Sequence, residues 1–259
     1  MSIDMSYEHI TEAYALTKWK ELLKPLITIW GYFLSPFVGL IFRSKAGNCG
    51  ENIECTVKLA YSFGQTSLLL QPFSIKPLQI YMEILSLAKI IYRLKPKTVV
   101  EIGTAGGGTL FIFCRLASDD ATIISIDLPG GPFGGGYPRR RIPLYKAFAR
   151  HDQKLFLLQE DSHNLKTLHK VKKILDEDKL DFLFLDGDHR YEGVKKDFEM
   201  YGPLVRRGGI IAFHDIVQGP PEKVGGVPKF WREIKLNYEY REIVKDWKQG
   251  GYGVGVIFV

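Results

Sequence analysis

Cysteine is scarce. Cys49, Cys55 and Cys114 are the only three among 259 residues. The number is odd and no Cys-x-x-Cys occurs, so neither a disulfide framework nor a thiolate zinc site is supported, and a reducing, cytoplasmic compartment is the plain expectation. Internal repeats and low-complexity tracts are also lacking, which sets aside solenoids and arrays. Neither sign of charge dominates: 35 Lys and Arg stand against 29 Asp and Glu, a net charge of +6. That excess is too diffuse to argue for nucleic acid, though it is compatible with an acidic substrate or a membrane surface. Long hydrophobic runs are missing but for one, Pro25 to Phe42, which holds no charged residue and lies between Lys18, Lys20 and Lys24 on one side and Arg43 and Lys45 on the other. It starts too late for a secretory signal and lacks a small-residue cleavage site. Its length is near the minimum for a bilayer span, Pro36 would kink a helix there, and Gly31 and Gly39 weaken one. A hairpin packed on the domain, an interfacial anchor and a span all remain open. The rest is ordinary for a globular protein, with 46% apolar and 25% charged residues, and one α/β domain with additions suffices for this length.

The most informative stretch is Thr98 to Thr109, Thr-Val-Val-Glu-Ile-Gly-Thr-Ala-Gly-Gly-Gly-Thr. The β-branched residues predict a buried strand, the glycines a tight turn, and Leu110 to Leu116 a helix. Such a turn lets backbone N–H groups and a helix N-terminus approach a ligand. The glycine pattern, with Gly103 and Gly107, fits a dinucleotide fold, a phosphate loop or a simple turn. Glu101 narrows the choice, because a carboxylate beside a pyrophosphate would be repelled; it suits a ligand with a cationic amine and no phosphate. Asp127 ends the next expected strand, Thr122 to Ile126, where an acid can accept both hydroxyls of a ribose. The bland alternative is two solvated strand-end acids.

Further strands are expected at Leu155 to Leu158, Leu180 to Leu185, Ile210 to Phe213, Tyr238 to Val244 and Tyr252 to Val259. Helices are expected at Pro77 to Leu94, Tyr145 to Arg150, Leu165 to Leu175, Val194 to Leu204 and Pro228 to Lys235. Ala46 to Phe73 reads as an irregular polar connector, with or without a short hairpin in it, and Arg206-Arg207-Gly208-Gly209 as a turn. Leu128 to Ile142 has five glycines and three prolines. It reads either as a lid whose Arg139, Arg140 or Arg141 meets an anionic substrate, or as a solvated loop.

In a parallel sheet, ligands gather outside the carboxyl ends of the strands. Glu101, Asp127, Asp161, Asp186, His214 and Asp215 all fall at such ends and are expected to share one crevice. Asp161 and Ser162 can bond an adenine's amine and ring nitrogens, although Ser162 could instead cap the next helix. Asp186 and Asp215 would repel without a shared divalent cation, and oxygen ligands favour magnesium. His214 is a further candidate ligand. His189, one turn past Asp186, is a candidate general base. Both histidines could also be structural.

Leu185-Asp186-Gly187-Asp188-His189-x-Tyr191-Glu192-Gly193-Val194, paired with Arg206-x-Gly208-Gly209-x-Ile211-Ala212-Phe213-His214-Asp215, resembles one family branch. This is the metal-dependent small-molecule O-methyltransferase branch of the class I S-adenosylmethionine-dependent methyltransferases, which includes enzymes acting on macrolide sugars and cephalosporin hydroxylase-like proteins. The resemblance covers about Leu78 to Val259. It implies a doubly wound, Rossmann-like α/β fold: a mostly parallel seven-stranded sheet with an antiparallel C-terminal strand, over a domain at 77–259. The residues before it, 1–76, lie outside the resemblance and are expected to form an N-terminal helical, apolar extension and connector. It implies S-adenosylmethionine at Glu101, Gly103, Asp127 and Ser162, with Gly107 and Asp161 alongside. It places a divalent metal, magnesium by preference, at Asp186 and Asp215, with His214 beside them. Catechol-type relatives have an acid-amide pair where this chain has His214-Asp215. The expected reaction is methyl transfer to a hydroxyl of a small molecule or sugar, with Asp186 and His189 as catalytic residues. The rivals are a nicotinamide-dependent oxidoreductase and a membrane-attached cofactor-binding module without turnover. Expected partners are a small-molecule substrate, anionic under the lid reading, and a membrane surface touched through 25–42. No nucleic acid is expected, and homo-oligomerisation is left open.

Overall fold

The computed structural model describes residues 33–65, 67, 70–131 and 135–259. Its centre is a seven-stranded sheet in the order β3-β2-β1-β4-β5-β7-β6. The strands are β1 Thr98–Ile102, β2 Thr122–Ile126, β3 Lys154–Leu158, β4 Leu180–Leu185, β5 Val205–His214, β6 Glu239–Ile243 and β7 Val254–Phe258. β1 to β5 pair in parallel, and β7 runs antiparallel to both of its neighbours. The expected doubly wound, mostly parallel architecture with an antiparallel C-terminal strand is therefore the one observed. The chain proceeds outward from β1 to β2 and β3, then crosses to β4 on the other side. β1 and β4 thus flank the switch point where a ligand crevice opens.

Alternation along the strands divides the core. Val99 and Ile123 face one layer of packed side chains, whereas Val100, Ile102 and Ile124 face the other. Helices α3 (Tyr81–Leu94) and α4 (Gly108–Leu116) cover the first face, and α6 (Leu165–Leu175), α7 (Tyr191–Tyr201) and α8 (Val227–Ile234) the second. β1 and β4 are buried along their whole length, so their β-branched and aromatic runs read correctly from sequence.

Three expectations need correction. Ala46 to Phe73 is not an irregular connector: it contains helix α2, Ile53–Ser62. Asn52 caps it by accepting from the Cys55 N–H at 2.9 Å, and Val57 and Ala60 are buried in the same core as Ile84 and Leu110. Many polar residues in that stretch belong to the helix's solvent face, which hid its period. Arg206-Arg207-Gly208-Gly209 is not a turn either, since β5 runs through it with Gly208 at φ +75° and a register irregularity against β4. A bulge absorbs the glycines without ending the strand. Finally, Cys49 and Cys55 are joined as a disulfide across a sequence separation of 6, while Cys114 is free and buried.

The apolar run falls partly outside the described residues, which begin at 33. From there a helix, α1, spans 33–47. Val38, Phe42 and Ala46 form its buried stripe, with Phe42 edge-on to Phe63 and Phe111. Gly39, a weak helix former, is used for close approach: a Cβ there would lie 3.2 Å from the Cβ of Ala147, which caps the end of α5 (Ile142–Lys146). Among the described residues no helix is long and apolar enough to cross a membrane.

Candidate functional site

A cavity of about 420 Å³ opens at the carboxyl ends of β1, β2, β3, β4 and β5, within the usual range of roughly 300–1,000 Å³ for ligand pockets. Its floor is the turn after β1. Gly103 sits at φ +93° and Gly107, which starts α4, at φ +81°. Asp127 braces this turn: its Oδ2 accepts from the Thr104 N–H at 3.0 Å and the Ala105 N–H at 2.6 Å. Tyr145 holds the turn from outside, donating to the Ala105 carbonyl at 2.7 Å.

Asp127, Asp161, Ser162, Asp186, His189, His214 and Asp215 all reach the cavity, as do Gly103 and Gly107. Glu101 does not. It lies fully buried beneath the turn, where its Oε1 accepts from the Thr109 hydroxyl at 2.5 Å and its Oε2 has no hydrogen-bond partner among the described residues. Burial pushes its pKa well above the usual carboxylate range, and the Asp186 and Asp127 charges add to this against the Thr109 bond. It is a buried carboxyl one layer below the ligand space rather than part of the wall. Asp127 is also pushed up by burial, opposed by the backbone N–H groups it accepts from.

On the β3 side, Asp161 Oδ1 accepts from the His163 N–H at 2.8 Å, and the Ser162 carbonyl accepts from Tyr201 of α7 at 2.8 Å. Ser162 does not cap α6; Asn164 does, accepting from the Lys166 N–H. His163 Nε2 lies 3.1 Å from the Gly193 carbonyl and 3.3 Å from the buried Asp197. The Asp197 hydrogen bond raises the His163 pKa. Two ties to α7 thus fix this wall.

At the β4 and β5 end, two carboxylates and two imidazoles converge. His214 Nδ1 donates to Asp186 Oδ1 at 2.9 Å, and Gln79 Nε2 donates to Asp186 Oδ2 at 2.6 Å. His189 Nε2 lies 3.5 Å from Asp186 Oδ1, and its Nδ1 lies 3.3 Å from Asp215 Oδ2 and 2.5 Å from the Lys223 carbonyl. Burial alone would raise Asp186, but the charge of His214 and the bonds and charge of both imidazoles hold it at about 2. Burial disfavours the His189 cation, yet the Asp186 bond and charge, with the Lys223 carbonyl and Asp215, lift it to about 9. Asp215 is raised by burial despite its histidines, and sits at φ +60°, a strained backbone for a non-glycine residue. The repulsion expected between the two acids is thus offset by imidazoles lying between them.

Ligand atoms of Asp186, His189 and Asp215 lie within 4.8 Å of one another, so one divalent cation fits among them. His214 is turned into Asp186, and its buried Nε2 has no hydrogen-bond partner among the described residues. Its hydrogen bond to Asp186 makes it an orienting group for that acid.

Sequence reasoning missed Gln79 and Glu83. Glu83 is buried on α3, where its Oε1 accepts from the Lys245 N–H and Gln249 Nε2 and its Oε2 from the Gly253 N–H, at 2.8–3.0 Å. This ties down the β6–β7 loop, whose Tyr252 N–H donates to Asp215 Oδ1 at 2.9 Å. Glu83 adjoins Ile84 on the buried face, so a charged residue inside an apolar helical stripe was the available signal. Arg141, a candidate for meeting an anionic substrate, instead bonds the Ser74 and Gly106 carbonyls, while Arg139 and Arg140 are not in the cavity wall.

Comparison with known proteins shows which α/β proteins with such a crevice this chain is similar to. Residues 100–216 match the family model described as a methyltransferase domain. That span runs from β1 to just past β5 and contains every candidate site residue named from sequence. The chain is 28% identical over 177 residues to the uncharacterised protein y4gI of Sinorhizobium fredii, a stretch covering 65% of this chain and 18% of that protein. It is 30% identical over 128 residues to an uncharacterised protein of Acanthamoeba polyphaga mimivirus, covering 46% of this chain and 51% of the relative. The chain thus spans about half or less of the length of these curated relatives. Among solved structures, a cofactor-bound protein from MTB, Rv0187, shares the fold with a TM-score of 0.50 at 15% identity, over 80% of this chain and 87% of that one.

Proposed function

We propose that the protein is an S-adenosylmethionine-dependent O-methyltransferase acting on a hydroxyl of a small molecule or sugar, with a divalent metal at its centre. The observation that carries this reading is the division of one cavity into two halves. The methyltransferase-domain match, with the brace of Asp127 on the glycine turn and the Asp161-Ser162 wall, supports a nucleoside half. The converging Asp186, His189 and Asp215 support a cation half.

S-adenosylmethionine, when bound, supplies a methyl already activated by its sulfonium. Asp127, Asp161 and Ser162 would hold its adenosine, and Glu101 would lie buried beneath its cationic end. Asp186 and Asp215 would hold the cation, which would lower the pKa of a substrate hydroxyl. His189 would take the hydroxyl proton: its Nδ1 donates to the Lys223 carbonyl, and a cation held by Asp186 and Asp215 would offset the two charges that keep its pKa raised, leaving Nε2 as the acceptor nitrogen. His214 and Gln79 hold Asp186 in place from its two oxygens. The chain's contribution is mainly positioning and electrostatics.

The narrower assignment, to the branch acting on macrolide sugars or to cephalosporin hydroxylase-like proteins, rests on the Asp186–Val194 and Arg206–Asp215 motifs. A nicotinamide-dependent oxidoreductase accounts for less, since it leaves the Asp186/Asp215 pair without a task and sets Glu101 beneath a pyrophosphate. Calorimetric titration separates the two. We expect S-adenosylhomocysteine to bind, NADH not to, and Asp127→Ala to weaken the nucleoside by roughly tenfold or more, about the worth of one charge-assisted hydrogen bond. NADH binding without S-adenosylhomocysteine binding would sink the reading.

A further inference from the structure

We propose that the outer face of α1 docks on an anionic lipid surface. The inner stripe of this helix is committed to the domain: Val38, Phe42 and Ala46 are buried, and Gly39 brings the backbone against Ala147. The opposite stripe carries Phe33, Phe37, Leu40 and Ile41, exposed by 71%, 64%, 62% and 44%. These positions recur at helical spacing, so they form one continuous ridge rather than scattered contacts. An apolar ridge of this kind on a helix fixed to its own domain is the pattern of an interaction surface.

Charge identifies the occupant. The described helix has no charged residue from 33 to 42, then places Arg43, exposed, and Lys45, exposed, at its end. Arg43 Nε donates to the Ala147 carbonyl at 3.3 Å, so this cation is held at the base of the ridge. In the sequence the uncharged run is bordered on its other side by Lys24, and the chain carries a net charge of +6. Large apolar side chains beside cations, with no acid between them, suit the boundary between acyl chains and anionic headgroups. Phenylalanines on such a ridge bury well at that depth, and lysine and arginine stems reach back to the headgroups. The buried stripe decides against a membrane-spanning role, because a spanning helix could not also pack on the domain through Phe42. The face therefore rests on the membrane without crossing it. This inference is independent of the proposed chemistry, since none of its residues lines the cavity.

The test is sedimentation of the full chain with vesicles of phosphatidylcholine alone and of phosphatidylcholine with phosphatidylserine. The wild-type protein is expected to sediment with the serine-containing vesicles, less with neutral ones, and less as salt is raised. The triple variant F37S/L40S/I41S is expected to lose binding by about tenfold or more while keeping the wild-type melting temperature. Wild-type protein that stays in the supernatant with anionic vesicles would overturn the proposal. So would a triple variant that sediments as well as the wild type. A variant that melts well below the wild type would show that the chain itself covers the ridge. A wild-type dimer that the variant splits, with no lipid binding, would assign the face to a second copy.

Discussion

Gly103→Ala is expected to leave little folded protein. Gly103 lies at φ +93°, and a Cβ there would stand 2.0 Å from the Asp186 carbonyl oxygen and 2.5 Å from its carbon. Neither side can yield cheaply. Gly103 is tied to β2 through its N–H to the Ile126 carbonyl at 2.9 Å, and Asp186 to β1 through its N–H to the Ile102 carbonyl at 2.9 Å. The clash falls between two backbones at the centre of the sheet, and the left-handed conformation adds its own cost for alanine. A loss of roughly 3 kcal/mol or more is expected in chemical denaturation, a large part of a typical domain's stability. Gly106→Ala, three residues on, is the control. A Cβ there meets nothing closer than the Lys76 carbonyl at 3.4 Å, so a change under about 1 kcal/mol is expected. If both variants unfold alike, the glycine turn is not organised as described.

Asp186→Asn is expected to abolish methyl transfer and to weaken Mn²⁺ by roughly a hundredfold or more, at the upper end of effects seen even for outer-shell groups. It should leave S-adenosylhomocysteine affinity within about threefold. The side chain keeps its size but loses its charge, and one of its two acceptors becomes an amide facing the N–H donors of His214 and Gln79. The nucleoside half of the cavity, from Asp127 to Ser162, makes none of these bonds. Calorimetry with each ligand separately reads the two halves apart. Parallel loss of both affinities would mean that Asp186 supports the fold of the whole site and does not serve the cation alone. His189→Ala in the same titration distinguishes its roles: as a proton acceptor its loss leaves Mn²⁺ binding largely intact, whereas as a ligand its loss weakens it alongside Asp186→Asn.

The sheet was legible because its central strands are buried on both faces. β1, β2 and β4 are runs of valine, isoleucine, leucine and phenylalanine between glycine and charge, and the expected bounds coincide with the observed ones. α6 was equally clear, since Leu168, Val171 and Leu175 recur at helical spacing and are buried. α2 was hidden because its apolar face is narrow, and β5 was cut short because Arg206 to Gly209 mimic a turn. In the site, strand-end position alone located Asp127, Asp186 and Asp215. Strand-end position could not show that Glu101 lies below the cavity wall, since a strand's last residues alternate between faces that only the coordinates distinguish. Nor could it find Gln79 and Glu83, whose partners are 107 residues away and between 162 and 170 residues away. Arg141 was misread for a similar reason: a run of arginines in a glycine-rich loop looks solvated until one of them is seen to hold carbonyls from two other segments.

The most direct measurement is a crystal structure of the protein with S-adenosylhomocysteine and Mn²⁺, with anomalous scattering used to locate the ion. The account predicts one anomalous peak bound by Asp186 and Asp215, and the adenosine between Asp127 and Ser162 in the same cavity. An ion held elsewhere, or a nucleoside seated away from the glycine turn, would contradict it.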